Sequence, residues 1–320
     1  MVINILLLAF GLTVLIFGAD WLVAGASAIA KKMNVSDLAI GLTIVSFGTS
    51  APELVVNTYA SVQGNADIVF GNVIGSNNFN LFLILGLTGI ISPLTAQRST
   101  VWKEIPLSLA AVVVVYFLVN DAIFFSNQSF LSRLDGFILL AFFAVFLYYV
   151  YRMMRNDVQP EVVDHKKPRP AYMLIIMVVG GLAGLVLGGR IVVTNAVELA
   201  QMLGVSEKII GLTIIAAGTS LPELATSLVA ALRKNNDIAV GNVIGSNIFN
   251  LFFILSMSSM VRPIPFTSSF NLDLYILAGG TLFLFGAMYF SGRHRLNRFE
   301  SAILFSSYIG YTIWLVMKEL

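Results

Sequence analysis

Glu53 stands four residues after Thr49 and three after Ser50, in the stretch Gly41–Leu54, GLTIVSFGTSAPEL. In a helix, residues three and four apart share a face, so these two hydroxyls and one carboxylate can point the same way. Pro52 has no N–H to give the Gly48 carbonyl, so the helix is expected to kink or open there and leave backbone oxygen free. A carboxylate and unpaired backbone inside so apolar a stretch are tolerated only around a cavity or a bound ion. The donors are all oxygen, which suits a hard cation such as Ca²⁺ or Na⁺ rather than zinc or copper.

The stretch occurs twice. Gly211–Leu224 reads GLTIIAAGTSLPEL and sets Thr219, Ser220 and Glu223 at a constant offset of 170 from Thr49, Ser50 and Glu53. A second motif is duplicated at the same offset: Gly71–Asn80, GNVIGSNNFN, recurs as Gly241–Asn250, GNVIGSNIFN. Ser76 with Asn80, and Ser246 with Asn250, are four apart, so each helix offers a hydroxyl and an amide oxygen on one face. Between 41–84 and 211–254, 26 of 44 residues match without a gap, which marks an internal repeat. The glycines of the second motif, Gly71 with Gly75 and Gly241 with Gly245, are expected to allow close backbone approach or small-residue helix packing. A phosphate-binding loop is the competing reading, and it fails for want of the lysine and the strand–turn–helix context.

These motifs need elements to hold them in a bilayer. The 320 residues are 58% hydrophobic and 11% charged, with mean hydropathy +0.88. That composition is an all-α integral membrane protein rather than a soluble domain. A net charge of +2 gives no hint of nucleic acid, and the absence of cysteine excludes disulfides, thiol catalysis and thiolate metal sites. Apolar runs long enough to span are read at 2–30, 37–62, 68–92, 102–120 and 132–153, then at 171–202, 208–232, 238–260, 271–290 and 298–317. The first is read as a retained helix, since it lacks a basic leader and runs too long for a signal peptide. The chain therefore divides into a first half, 1–153, a charged linker, 154–169, and a second half, 170–320.

Connections taken alternately sort the basic residues. Fourteen lie on one side, from Lys31 and Lys32 to Arg298, and four on the other: Arg133, Lys208, Arg262 and Lys318. The excess of positive charge places the first side, with the linker, in the cytoplasm and both termini outside. A five-span unit has an odd count, so its copy enters from the opposite side. The expected fold is thus ten transmembrane helices in two inverted five-helix repeats, with sites near the midplane where they meet.

Other residues carry less. The first and sixth spans are glycine-spaced at Gly11, Gly18 and Gly25 and at Gly180, Gly181, Gly184, Gly188 and Gly189. That pattern fits either static close packing or smooth helices that slide against the bundle. Asp20 and Arg190 occupy equivalent places in the repeats and Glu198 lies late in the sixth span; structural or interfacial roles are expected for all three. His165 and His294 fall in polar segments and read as solvated loop residues.

The paired signatures, GTSAPE with GTSLPE and GNVIGSNNFN with GNVIGSNIFN, resemble the α-repeats of the cation/calcium exchanger superfamily, over essentially the whole chain. The likeness is greatest to the compact prokaryotic sodium/calcium exchangers. It implies ten helices in two inverted repeats, with ion sites among spans 2, 3, 7 and 8 and motion of spans 1 and 6. It implies Glu53 and Glu223 as central calcium ligands, assisted by the backbone oxygens of Thr49 and Thr219. Sodium sites would add Ser50, Ser76, Ser220, Ser246, the carbonyls of Ser46 and Ala216, and the amide of Asn80. Asn250 departs from the branch that has aspartate there, including potassium-dependent relatives, so a potassium requirement is not expected.

The function expected is secondary antiport of Ca²⁺ against Na⁺ at the cell membrane, by alternating access. No enzymatic activity and no cofactor are implied; the partners are the bilayer and the two cations, without nucleic acid, and the expected unit is a monomer. Two glutamates give −2, which one Ca²⁺ or two Na⁺ neutralise. Carboxylates about 5 Å apart repel by about 3 kcal/mol at an effective dielectric of 20, so protons are expected to compete with calcium. Proton/calcium exchange is the nearest rival, although proton-coupled relatives typically carry GN-x-x-E where this chain has GTS-x-PE. A passive calcium channel is the rival of another class, and an intramembrane hydrolase is a distant third, since no serine has a histidine or lysine base at membrane depth.

Overall fold

A computed structural model of the chain describes residues 1–120, 129–156, 170–204, 216–291 and 294–319. Nearly all of it is helix. Long apolar runs without an interior proline give α1, Val2–Met33, and later α7, Ala171–Met202. Between them come α2, Asp37–Thr49, α3, Ala51–Gln63, α4, Ala66–Ile91, α5, Thr100–Val119, and α6, Arg133–Asn156. After α7 follow α8, Leu221–Leu232, α9, Asn236–Val261, α10, Phe270–Phe290, and α11, Arg298–Glu319.

Among the described residues, eight helices are long and apolar enough to cross a membrane, and nine if the bent pair α2–α3 is one span. The helix α8 has 12 residues, and the segment before it that would complete a tenth span lies outside the described residues. The expected linker begins later than its charge suggested: α6 continues through Met154 and Arg155 to Asn156, and 157–169 lie outside the described residues.

Loop pairing shows which connections share an end. Strand β1, Leu94–Thr95, pairs antiparallel with β4, Arg295–Leu296, while β2, Phe130–Leu131, pairs with β3, Ile264–Pro265. At the β1–β4 end, Gln97 donates to Asp237 (2.7 Å) and Asn235 donates to Asp37 (2.8 Å). These are the connections that the Lys/Arg sorting grouped together. At the opposite end, Asn4 of α1 donates to Glu198 of α7 (2.8 Å), and α3 ends on Gly64 at φ 78, a left-handed turn that favours glycine. Glu198 therefore joins two helices through its carboxylate. Asp20 is ion-paired with Arg233, beyond the end of α8. His294 is not a solvated loop residue: it is only partly exposed, has φ 50, and its carbonyl accepts from the Ala96 N–H (2.8 Å) because the β1–β4 ribbon docks there. His165 lies outside the described residues.

The glycine stripes of α1 and α7 face each other. A Cβ at Gly18 would lie 2.8 Å from the Leu185 nitrogen, one at Gly181 2.6 Å from the Leu22 nitrogen, and one at Gly188 2.7 Å from the Leu15 nitrogen. The two backbones are thus in direct contact, the small-residue packing that apolar surroundings favour. Sequence alone left the partner of each stripe open.

Candidate functional site

The signature helix is broken where the sequence put its proline, but the break differs from the expected kink. Pro52 sits in the first turn of α3 rather than inside a continuous helix, and α2 and α3 meet at 47° across Ser50. Pro222 opens α8 in the same way after Ser220. Ser50 (φ −82, ψ 5) and Ser220 (φ −90, ψ 6) share the bridge conformation that ends one helix and begins the next. The Gly48 carbonyl, expected to be free, accepts a capping backbone N–H. The Ser46 carbonyl accepts from the Ser50 N–H (3.0 Å) and the Thr49 hydroxyl (3.3 Å). Backbone satisfaction in a buried turn overrides the simple lost-bond picture.

The two breaks bring the carboxylates together crosswise. Ser220 Oγ donates to Glu53 Oε1 at 3.0 Å, and Ser50 Oγ donates to Glu223 Oε1 at 2.9 Å. Ser246 Oγ adds a longer contact to Glu223 Oε1 at 3.4 Å. Each glutamate is thus held by a serine of the other repeat, an arrangement no spacing within one helix contains. Both glutamates are fully buried.

Thr49 and Thr219 do not share the glutamate's role with their side chains. Thr49 Oγ1 meets Asn242 Oδ1 (3.0 Å), and Thr219 Oγ1 meets Asn72 Oδ1 (3.2 Å), each across the repeat boundary. Behind them, Asn242 donates to Ser227 (3.0 Å) and Asn72 donates to Asn57 (2.7 Å). Ala216 opens the short turn Ala216–Gly218 ahead of Ser220.

The second motif approaches from α4 and α9. Past Asn78 and past Ile248, both helices widen into π-helical turns, Phe79–Ile84 and Phe249–Ile254, which the sequence did not announce. Such turns recur at functional sites because they redirect side chains and free backbone groups. Asn80 and Asn250 are the second residues of these turns, with Ser76 and Ser246 one helical turn before.

The test of a cation site is what these oxygens lack. Glu53 Oε2, Glu223 Oε2, Ser76 Oγ, Asn80 Oδ1 and Asn250 Oδ1 are buried without a hydrogen-bond partner among the described residues. Unpartnered buried acceptors are costly unless something positive meets them. Among the described residues no three His, Cys, Asp or Glu side chains cluster, so two carboxylates with hydroxyls and amides are the donor set. That set fits a hard cation of low charge. The asparagines at 57, 72, 77, 242 and 247 escaped the sequence reading; four of them lie inside the duplicated motif, and that duplication was their signal.

Comparison with known proteins places this geometry. The family described as sodium/calcium exchanger protein matches residues 3–152 and 173–317. The putative antiporter CaxA of Alkalimonas amylolytica is 37% identical, over 97% of this chain and 98% of that protein. The sodium/calcium exchanger MaX1 of Methanosarcina acetivorans is 30% identical, over 97% of this chain and 98% of its own. Among solved structures, the sodium-calcium exchanger NCX_Mj superposes with TM-score 0.81 at 31% identity, covering 97% of each chain.

Proposed function

The chain belongs to the sodium/calcium exchanger protein family, as a multi-pass membrane transporter of the cation/Ca²⁺ antiporter kind, and from that premise we propose that sodium is its coupling ion. One observation carries the proposal. Two buried glutamates from opposite repeats are crossed by each other's serines, and Glu53 Oε2, Glu223 Oε2, Asn80 Oδ1 and Asn250 Oδ1 are left without a hydrogen-bond partner among the described residues.

Glu53 and Glu223 supply −2, matched by one Ca²⁺ or by two Na⁺; a third Na⁺ would leave one net charge in transit and make exchange electrogenic. Ser50, Ser76, Ser220, Ser246, Asn80 and Asn250 complete the ligand set, with backbone oxygens of Ser46, Thr49, Ala216 and Thr219. One compact ligand set of charge −2 that serves either ion, and not both fully at once, is what couples the two fluxes.

Alternating access has support in the unequal burial of the two threonine–asparagine arms. Thr49 and Asn242 are buried, whereas Thr219 and Asn72 are partly exposed. The exposed arm faces the end that holds the chain's N-terminus, which the positive-charge rule assigns to the outside. The fold behind this reading is ten helices in two inverted five-helix repeats with both termini outside. The mobile element is the α1–α7 pair. It rests on the signature glycines: a Cβ at Gly48 would meet Leu182 at 2.5 Å, and one at Gly218 would meet Val193 at 2.5 Å.

The test is calcium uptake into proteoliposomes under a sodium gradient, then under a pH gradient, then under neither. Uptake driven by sodium is expected. Uptake driven by the pH gradient alone would replace sodium with protons as coupling ion, and equal uptake in all three would indicate a passive pore. Single introduced cysteines test orientation in a chain that has none of its own: labelling of 154–169 from outside intact cells would reverse the topology.

A further inference from the structure

Four buried asparagines interlock across the repeat boundary. Asn77 Nδ2 donates to the Asn247 carbonyl (3.3 Å), and Asn247 Nδ2 reaches the Asn77 carbonyl (3.5 Å). Asn80 Nδ2 donates to Asn247 Oδ1 (3.1 Å), and Asn250 Nδ2 donates to Asn77 Oδ1 (3.0 Å). All four are at most 1% exposed, so water does not compete for these groups.

The amide orientations follow from the backbone. A carbonyl can only accept, so each of Asn77 and Asn247 must turn its nitrogen toward the other's backbone. Each side-chain oxygen then faces the neighbouring asparagine of the opposite repeat. That oxygen accepts only, so Asn80 and Asn250 must turn their NH₂ groups to it and their Oδ1 atoms away. These two Oδ1 atoms are the buried acceptors left without partners.

We propose that Asn77 and Asn247 are positioning residues that fix which end of the Asn250 and Asn80 amides faces the cation. An asparagine free to rotate offers a donor as readily as an acceptor, and an NH₂ group turned inward repels a cation. The lock is crossed: Asn247, in the second repeat, orients Asn80 of the first, and Asn77 orients Asn250. Neither positioning residue supplies an oxygen to the ion itself. This assignment rests on the reading of Asn80 and Asn250 as ligands.

Equilibrium binding of radioactive calcium to the purified full chain tests it through two double-mutant cycles. Asn247→Ala should weaken calcium binding roughly tenfold, the loss expected when one oriented polar contact is given up. Adding Asn80→Ala to Asn247→Ala should then cost less than about threefold more, because the amide it removes is no longer held in place. The cross combinations, Asn247→Ala with Asn250→Ala and Asn77→Ala with Asn80→Ala, should be close to additive. Coupling within Asn77–Asn250 and Asn247–Asn80 only is the signature of orientation, since general loosening of the bundle would couple all pairs alike. Additivity in both matched pairs, or equal coupling in matched and crossed pairs, would overturn the proposal. Should Asn247→Ala fail to fold, as judged by thermal unfolding, the Asn77–Asn250 cycle reads the same term; Asn247→Ser and Asn77→Ser also remove the acceptor with a smaller loss of polarity. If Asn80→Ala and Asn250→Ala by themselves leave calcium binding unchanged, the ligand reading fails instead, and the two failures are distinguishable.

Discussion

The two repeats carry the same motifs into different surroundings. In the arm Thr49–Asn242–Ser227 every residue is buried, and Gly245 packs against Leu42 so closely that a Cβ would lie 2.9 Å from the Leu42 Cα. In the arm Thr219–Asn72–Asn57 the threonine and the first asparagine are partly exposed. The helices follow suit: α9 is more completely buried than α4. Identical chemistry is thus fully buried in one arm and partly exposed in the other. A duplicated site with unequal access can pass an ion from one face to the other only if the inequality reverses.

Substitutions that treat the repeats as equals test how far the likeness extends. The largest effect is expected at the glutamates. Glu53→Gln and Glu223→Gln should each lower calcium affinity by on the order of a hundredfold or more, the roughly 3–5 kcal/mol typical of breaking a buried charge arrangement. Calcium binding by the two purified variants checks this, and near-normal binding in either one would place the ion elsewhere.

The helix pair should come next. Gly181→Leu inserts a side chain where a Cβ already lies 2.6 Å from the Leu22 nitrogen, so α1 and α7 must separate. Overpacking of this kind typically destabilises by about 1–3 kcal/mol, and transport should fall more than calcium binding does. Gly180→Ala, one position along, meets only the Trp21 ring at 3.4 Å and should behave like the parent chain. Thermal unfolding with parallel flux measurements separates the two; equal damage from both would deny the close pairing.

A smaller and more selective effect is expected where the repeats match best. Both carry an amide at the proposed ligand position, Asn80 and Asn250. Sodium-driven calcium flux should therefore be unchanged when K⁺ is replaced by a large organic cation. Asn250→Asp adds a third acid and should make calcium binding steeper in pH. Strict dependence on K⁺ in the parent chain would contradict the proposed role of a neutral amide at 250.

The smallest change belongs to the repeats' unlike ends. The Asp20–Arg233 pair is 41% and 40% exposed, so Asp20→Asn should cost no more than about 1 kcal/mol. Exchange rates should move by less than about fivefold. A larger loss would show that this ion pair holds α1 to the end of α8 during transport.

Much of this was legible in the residues. The 170-residue offset, the apolar runs and the oxygen-only chemistry of GTS-x-PE follow from side-chain type and helical period. So did the sorting of the loops, because Lys and Arg carry their preference for one side wherever the chain folds. The glycine stripes were visible, yet their partners were not, since a small residue states only that something comes close. The π-turns at Phe79–Ile84 and Phe249–Ile254 were hidden because their cause is packing around α4 and α9 rather than any local propensity.

What the sequence determined by itself was the inventory of oxygen-bearing side chains and its duplication, because composition and spacing belong to the chain. Tertiary structure alone decided that Ser220 serves Glu53, Ser50 serves Glu223, and Asn247 turns the amide of Asn80. Those pairings join residues 167 to 173 positions apart. A helix repeats its faces within one turn, so only docking of one repeat on the other could choose them.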